Sequence, residues 1–187
     1  MNKGKIILLN GVSSSGKSTL SRELANQLEG FFHLSIDDYD GFIAKAENRE
    51  KGQHLIPVPT ESFYHRTIAM FSDLGVNVIA DQILHDISTT EDCFNVLQSY
   101  PVFFVGVHCP PPVLQQRERQ RSDRPIGLAE KQLNFVHQQR HLYHLEVDTY
   151  KDSIAHCTKQ IRNALQEHHP LAEWAIAEEN AQATKDV

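Results

Sequence analysis

One unbroken motif in the sequence has the composition of a phosphate-binding loop. Residues 11–18, Gly-Val-Ser-Ser-Ser-Gly-Lys-Ser, match the pattern GxxxxGK[ST]. Glycines let the backbone curl until consecutive N–H groups point at one anion, and a helix that starts there adds the positive end of its dipole. A chance Gly/Ser turn is the alternative, but a predicted strand before the motif and a predicted helix after it disfavour that interpretation. The motif therefore predicts a site for a nucleoside triphosphate.

The chemistry of phosphate-binding loops assigns a role to each of the last two residues of the motif, Lys17 and Ser18. Lys17 is expected to place a point charge on the β- and γ-oxygens of ATP and to act in transfer, as an exposed residue of the loop. Ser18 is expected to coordinate Mg²⁺ through its hydroxyl group. The residues predicted to bind the nucleotide here are Gly11, Val12, Ser13, Ser14, Ser15, Gly16, Lys17, Ser18 and Thr19.

Two carboxylates follow predicted strands and complete a candidate reaction centre. Asp37 follows a strand predicted over residues 31–36 and is expected to face the γ-phosphate, where it can accept the proton of an attacking hydroxyl group. Asp38 is the competing candidate, and because side chains alternate along an extended segment, we expect one of the two to face the site. A polar strand cap is the alternative for either residue. Asp81, after the apolar run 76–80, is the predicted second ligand of Mg²⁺.

Arginines are concentrated in one segment after the fourth predicted strand. Guanidinium groups stabilise the negative charge that spreads over a phosphoryl group in transfer, and a segment that closes over the nucleotide excludes water. We therefore predict an arginine-rich lid; the alternative is a solvated basic helix face. The segment contains Arg117, Arg119, Arg121 and Arg124, of which Arg117 and Arg121 are also predicted to bind the nucleotide.

Histidines and cysteines give weaker signals. His137, His141 and His144 have the spacing of one helix face, and we interpret them as a solvated face in preference to a zinc site, because no cysteine or carboxylate is spaced with them. The three cysteines are far apart and are expected to be small buried thiols in a reducing cytosol.

Strands alternate with helices along the chain, which predicts a parallel sheet covered by helices on both faces. The expected class is α/β with a P-loop kinase fold, in which residues 1–167 form one domain and residues 168–187 form a tail, either a frayed helix or disordered. A loop is expected over residues 41–59, because two prolines lie near its end. The predicted strands cover residues 5–10, 31–36, 76–80, 101–109 and 145–148. One predicted helix follows the phosphate loop, a second is capped by Thr60 and runs to about residue 74, and a third opens at residues 110–112. The other predicted helices cover residues 89–99, 128–141 and 153–165.

Composition excludes several classes of partner. The chain has 187 residues and a net charge of −6, from 18 basic and 24 acidic side chains. An acidic balance disfavours non-specific binding to nucleic acid or to anionic lipid. The first apolar run is too short for a signal peptide or a membrane span, so we expect a cytoplasmic protein without nucleic-acid or membrane partners.

The sequence resembles the chloramphenicol phosphotransferase-like family of P-loop kinases. The resemblance rests on Ile7 to Ser18, Ile36-Asp37, Val105 to Cys109, and a series of later residues in order. This later series consists of Arg117, Arg121-Ser122-Asp123-Arg124, Gly127, Lys131-Gln132, His137 and Glu146-Val147-Asp148-Thr149. The resemblance implies phosphorylation of a primary hydroxyl group, that of chloramphenicol in the prototype, with Asp37 as base and with Arg121 and Arg124 serving the nucleotide and its transferring phosphate.

The acceptor is the open part of the functional prediction. Residues 40–59 do not match the prototype and should shape the acceptor pocket, so the reaction type is better supported than the antibiotic. The prediction is transfer from ATP to a hydroxyl group of a small molecule. The alternatives are a kinase for a nucleoside, sugar or coenzyme precursor, a nucleotide-binding switch, and a polynucleotide 5′-hydroxyl kinase, which the acidic balance disfavours.

Overall fold

A parallel sheet forms the centre of the molecule. The computed structural model describes residues 2–46, 58–120 and 126–167. Its five strands lie in the order β2-β3-β1-β4-β5, and every neighbouring pair is parallel. The predicted five-stranded parallel sheet is thus confirmed. The strands are β1 (Ile6–Asn10), β2 (Phe31–Ser35), β3 (Asn77–Gln82), β4 (Val102–His108) and β5 (Leu145–Asp148).

Helices cover both faces of this sheet. The helices are α1 (Lys17–Gln27), α2 (Ile36–Ala46), α3 (Thr60–Asp73), α4 (Ile87–Leu97), α5 (Pro111–Arg119), α6 (Leu128–Gln132) and α7 (Ile154–Glu167). Side chains that alternate along the strands divide the core into two layers. Ile6, Leu8 and Phe104 pack on the side of α3 and α4. Ile7, Leu9 and Val105 pack on the side of α1 and α7. The apolar run of β1 is fully buried because both of its faces are covered.

A third, smaller core lies beyond the carboxyl ends of the strands. It joins Val12 of the phosphate loop to Cys109 after β4, Leu114 of α5, Ala129 of α6 and Val136. The phosphate loop follows β1, the strand between β3 and β4, at the point where the chain changes direction across the sheet. Ligands of open α/β sheets bind in the crevice at such a point.

The region after β2 differs from the prediction. Helix α2 begins at Ile36, directly after Ser35, so the predicted strand end at Ile36 is wrong and Asp37 and Asp38 lie in the first turn of a helix. Acidic residues favour the positive end of a helix, which accounts for a start at this position. The predicted loop over residues 41–59 is wrong as far as Ala46, and residues 47–57 lie outside the described residues.

Three other element boundaries are corrected. Thr60 is the first residue of α3, not its cap, and its hydroxyl group donates to Asp40 Oδ1 at 3.0 Å. Asp81 lies within β3, one residue before its end. Helix α6 ends at Gln132, so the predicted helix to residue 141 is wrong beyond that point. The chain continues in turns to a 3₁₀ turn at Arg140–Leu142.

The early end of α6 changes the interpretation of the histidines, since the three residues do not share a helix face. His141 is exposed, whereas the His137 ring stacks on that of His108 with centroids 4.1 Å apart. His144 Nδ1 accepts a hydrogen bond from the Phe104 N–H at 2.8 Å. A solvated face is therefore wrong for His137 and His144. No group of three or more metal-ligating side chains occurs in the described part of the chain.

The three cysteines are buried and form no disulfide, which confirms that part of the prediction. Burial raises the pKa of the Cys93 thiol to about 12 and also raises the pKa of Cys109 and Cys157. Within residues 2–46, 58–120 and 126–167, no helix has both the length and the apolar character needed to cross a membrane. Residues 168–187, the predicted tail, lie outside the described residues.

Candidate functional site

The phosphate loop has a backbone that few sequences can adopt. Gly16 has φ 94°, in the left-handed region, and Ser14 has φ 60°. A Cβ atom at Gly11 would overlap the carbonyl oxygen of Val107, so β4 passes too close for any other residue. A non-glycine residue in the left-handed region costs free energy and persists where its surroundings hold it.

Side chains from distant elements hold the carbonyl groups on the outer side of the loop. Arg117 of α5 donates to Ser14 O at 3.2 Å. The hydroxyl group of Thr149, just after β5, donates to Ser15 O at 2.6 Å. Arg117 also donates to Thr149 Oγ1 at 3.1 Å and to Thr149 O at 3.1 Å. Since the C=O and N–H groups of a trans peptide point in opposite directions, an outward Ser15 carbonyl turns the Gly16 N–H inward.

Lys17 is buried, not exposed as the sequence led us to expect. Its side chain is 8% exposed, and Nζ donates to Val12 O at 2.8 Å. The reason is that α1 begins at Lys17, which makes the side chain fold back over the loop. The ammonium group is therefore held against the loop by a backbone carbonyl oxygen.

One cleft brings together the predicted reaction centre. Lys17, Ser18, Asp37 and Asp81 all line it, together with loop residues Ser13, Ser14, Gly16 and Thr19 and the apolar side chains of Ile36 and Ile83. Asp38 is described and exposed but does not line the cleft. Neighbours in a helix diverge by about 100°, so a single carboxylate still faces the site, although the alternation expected for a strand does not apply.

Asp81 is held by neighbours on both sides. It is 2% exposed, and Oδ2 accepts from Ser21 Oγ at 3.1 Å and contacts His33 Nε2 at 3.2 Å. Burial alone would raise the pKa of Asp81. Hydrogen bonds from His33 and Ser35 and the nearby charges of His33 and Lys17 outweigh it, so the pKa is lowered. Asp81 therefore remains an anion in the cleft.

A second recess lies on the other side of the phosphate loop. Ser14, Gly16 and Thr19 line it as they line the cleft, but here they are joined by Arg117, Gln120, Thr149 and Ile154. The predicted nucleotide ligand Arg117 thus lies beside the loop, with its guanidinium group fixed by backbone and hydroxyl oxygens. Arg119 is exposed, and Arg121 and Arg124 lie outside the described residues.

Several residues of the site belong to the stretches that carry the family resemblance, but the sequence analysis assigned them no role. Thr149 holds the loop from the end of β5, a position that a parallel sheet assigns to ligand binding and that could have drawn attention to it. Asn10, the last residue of β1, is fully buried and donates through Nδ2 to Val136 O at 2.7 Å, while its Oδ1 accepts from the Leu84 N–H at 3.0 Å. Gln132 of α6 accepts from the Ser13 N–H at 2.7 Å. No local pattern signals these last two bonds, which join residues far apart in sequence.

The oxygen atoms of the cleft suit a magnesium ion. Ser18 supplies a hydroxyl group and Asp81 supplies a carboxylate. Mg²⁺ is usually bound through one or two carboxylates, with water and substrate phosphates completing its octahedral shell. A site without a full protein cage is therefore what a nucleotide-bound magnesium ion requires.

Known proteins resemble this chain in sequence. The sequence profile of the chloramphenicol phosphotransferase-like protein family matches residues 4–166. This chain belongs to that family. The expectation of a kinase or phosphotransferase is thereby confirmed. A Mycobacterium tuberculosis protein named "Putative O-phosphotransferase Rv2636" is 26% identical to the chain, and the match covers 89% of this chain and 84% of that protein.

Solved structures agree on the fold. A sugar kinase from Janibacter sp. HTCC2649 superposes with a TM-score of 0.67 at 18% identity, covering 91% of this chain and 98% of that one. The Mycobacterium tuberculosis APS kinase CysC, in complex with AMPPNP and APS, superposes with a TM-score of 0.63 at 17% identity, covering 89% and 99%. At these identities the likeness establishes the P-loop kinase fold and leaves the acceptor open.

Proposed function

We propose that this phosphotransferase moves the γ-phosphoryl group of ATP to a hydroxyl group of a small molecule. The observation that carries the proposal is the shared cleft: Lys17 and Ser18 of the phosphate loop face the same space as Asp37 and Asp81. A module that only binds a nucleotide needs the loop but has no need for a second carboxylate opposite it. A kinase needs both.

The two recesses suggest how ATP lies in the site. The phosphate loop separates the recess beside Arg117 and Thr149 from the cleft beside Asp37. We place the nucleoside in the recess and the triphosphate along the loop. The γ-phosphate then points towards Asp37, and the acceptor enters the cleft from the side opposite the nucleoside.

Positive groups of the chain offset the charge that develops in transfer. Lys17 reaches the β- and γ-oxygens from within the loop, and the inward N–H groups bind the phosphate chain. Arg121 and Arg124, assigned from the resemblance, complete this set by stabilising the transferring phosphoryl group. Ser18 and Asp81 would hold Mg²⁺, which would supply positive charge to offset that of the phosphate oxygens.

Asp37 is the proposed base. The acceptor oxygen attacks the γ-phosphorus, its proton passes to the Asp37 carboxylate, and the bond to the β–γ bridging oxygen breaks to release ADP. Phosphoryl transfer has a loose transition state, so orienting the hydroxyl group matters as much as removing its proton. The first turn of α2 fixes Asp37 for this role.

Chloramphenicol, through its primary hydroxyl group, is the acceptor that family membership favours, and antibiotic resistance would follow from its modification. The acceptor side of the cleft includes Ile36 and Ile83, apolar side chains that suit a compound with an apolar portion beside its hydroxyl group. Residues 40–59 are expected to complete this pocket.

An acceptor screen with γ-labelled ATP and Mg²⁺ tests the proposal. The panel contains chloramphenicol, nucleosides, sugars and coenzyme precursors, and transfer of label is measured for each. We expect label on a hydroxyl group of a small molecule, with chloramphenicol the first compound to examine. Transfer to a sugar or nucleoside alone would replace the antibiotic with a metabolic acceptor. ATP binding without transfer to any compound would favour a nucleotide-binding switch.

A further inference from the structure

A hydrogen bond from α6 reaches the phosphate loop at a group that does not face the phosphate. Gln132 Oε1 accepts from the Ser13 N–H at 2.7 Å, across 119 positions of sequence. The acceptor must be the amide oxygen, because a backbone N–H can only donate. The peptide between Val12 and Ser13 thus has its N–H group directed away from the loop interior and towards α6.

The other end of this peptide contacts Lys17. A trans peptide is planar, so with its N–H directed at Gln132 its carbonyl group points to the opposite side. There Val12 O accepts from Lys17 Nζ at 2.8 Å and from the Ser15 N–H at 3.2 Å. One rigid unit therefore links the Gln132 amide to the ammonium group of the phosphate loop.

Burial makes this link difficult to replace with water. Val12 is 1% exposed, Ser13 5% and Lys17 8%. A buried N–H group that loses its partner keeps its desolvation cost, so removal of the Gln132 oxygen favours rotation of the peptide. The Val12 side chain is packed in the small core with Ala129 of α6. The side chain therefore stays in place, and only the plane of the peptide between Val12 and Ser13 rotates.

We propose that Gln132 is a positioning residue of the transfer site, which orients the peptide between Val12 and Ser13 and thereby fixes the Lys17 ammonium group. An ammonium group has three donors, so one can stay on Val12 O while the others bind phosphate oxygens. Gln132 thus acts through Lys17 and makes no contact with ATP itself. The inference rests on the proposed ATP binding and adds a residue that the motif does not contain.

A double-mutant cycle on ATP affinity tests the link. ATP binding in excess Mg²⁺ is measured by calorimetry for the wild type, Gln132→Met, Lys17→Ala and the double variant. We expect Gln132→Met to weaken ATP binding about tenfold, since an unsatisfied donor must be reordered each time the nucleotide binds. In the Lys17→Ala background the same change should cost less than about threefold, because coupled residues are not additive.

Two further variants separate positioning from folding. Gln132→Asn keeps the amide but shortens its reach, so it should weaken ATP binding like Gln132→Met even if the Met variant unfolds. Gln138→Met is the matched control, because Gln138 is exposed and its side-chain amide donates to Asn134 O at 3.0 Å, away from the phosphate loop; its ATP affinity should stay within about twofold of the wild type.

Each result of the cycle decides the proposal. Unchanged ATP affinity in Gln132→Asn and Gln132→Met would overturn it. So would equal losses with and without Lys17, because Gln132 would then act on the loop by another route. A wild-type protein that binds no ATP would refute the proposed function, and this inference with it.

Discussion

Although Lys17 is buried, removal of its ammonium group should cost the folded state little free energy. Its ammonium group is held by Val12 O, which also accepts from the Ser15 N–H. Removing the ammonium group therefore leaves that carbonyl oxygen with a partner, and the sheet beneath the loop is unaffected. We therefore expect Lys17 to contribute to the proposed reaction more than to the fold.

Lys17→Ala should accordingly abolish transfer while the protein stays folded. Loss of a phosphate-contacting donor is expected to lower kcat by roughly 10²–10³-fold or more. Transfer from ATP and the thermal unfolding midpoint are measured on one preparation, with the exposed Lys159→Ala as control. Turnover like that of the wild type in folded Lys17→Ala protein would contradict the assigned role.

At the residue scale, the sequence predicted the phosphate loop but not the bonds by which distant residues hold it in place. The motif over residues 11–18 predicted the phosphate loop because each fixed position has a local chemical reason. The bonds of Asn10, Gln132 and Thr149 depend on which distant elements meet at the loop. Such contacts follow from tertiary packing and have no local signature.

At the scale of elements, α2 shows how an acidic pair can be misinterpreted. The sequence placed Asp37 and Asp38 after a strand, because Ile36 continues an apolar run. The helix begins without an intervening loop, and the two carboxylates lie in its first turn, where the helix dipole favours them. Asp37 nevertheless lines the cleft, because either arrangement places it at the carboxyl edge of the sheet.

Helix α6 depends on a buried carboxylate of α5. Glu118 is 1% exposed, and its two oxygens accept from the Gly127 N–H and the Ala129 N–H, each at 2.7 Å. These donors belong to the first turn of α6, which has no side-chain cap of its own. Glu118 therefore joins the start of α6 to α5, and these are the two helices that support the phosphate loop.

Glu118→Ala should destabilise the protein by about 2–4 kcal/mol, because it leaves two backbone donors of a buried turn without their charged acceptor. Chemical denaturation measures the loss. Glu130→Ala is the matched control, since Glu130 is an exposed residue of the same region, bonded to Gln115 at 3.2 Å, and its loss should be below about 0.5 kcal/mol. Equal losses in the two variants would show that the Glu118 bonds add nothing to stability.

At the scale of the whole molecule, sheet topology was the most predictable feature. Four runs of strand length bounded by turn signals, together with the short run 145–148, correspond to β1–β5. The three central strands β3, β1 and β4 are the most apolar, because helices cover both of their faces. The end of α6 was not predictable in this way. The sequence continues to resemble a helix beyond Gln132, but there the chain turns so that His137 stacks on His108 and Tyr143 packs on Gly106.

That packing gives stability a dependence on pH. Burial, together with repulsion from His108 and Lys17, lowers the pKa of His137 from 6.5 to about 4 in the folded protein. Between these values the unfolded chain binds more protons, so stability is fully present above about pH 6.5 and is lost progressively as the pH falls towards about 4.

The unfolding midpoint should therefore drop between about pH 7.5 and about pH 5, and the drop should be smaller in His137→Gln. Glutamine can still bond with the Tyr143 hydroxyl group, which contacts His137 Nδ1 at 2.8 Å. His141→Gln, a change at an exposed histidine, should leave the slope unchanged. The same slope in His137→Gln and in the wild type would show that His137 does not titrate in this window.

Asp37→Asn tests the central claim most directly, because it separates a phosphotransferase from a nucleotide-binding module. ATP affinity and phosphoryl transfer are measured on the same preparation, with Asp38→Asn as the matched control. We predict nearly intact ATP binding in Asp37→Asn, because the loop amides, Lys17 and Mg²⁺ bind the nucleotide, and a fall in transfer of roughly 10²–10⁴-fold. Full transfer in Asp37→Asn, or loss of transfer in Asp38→Asn instead, would contradict the account.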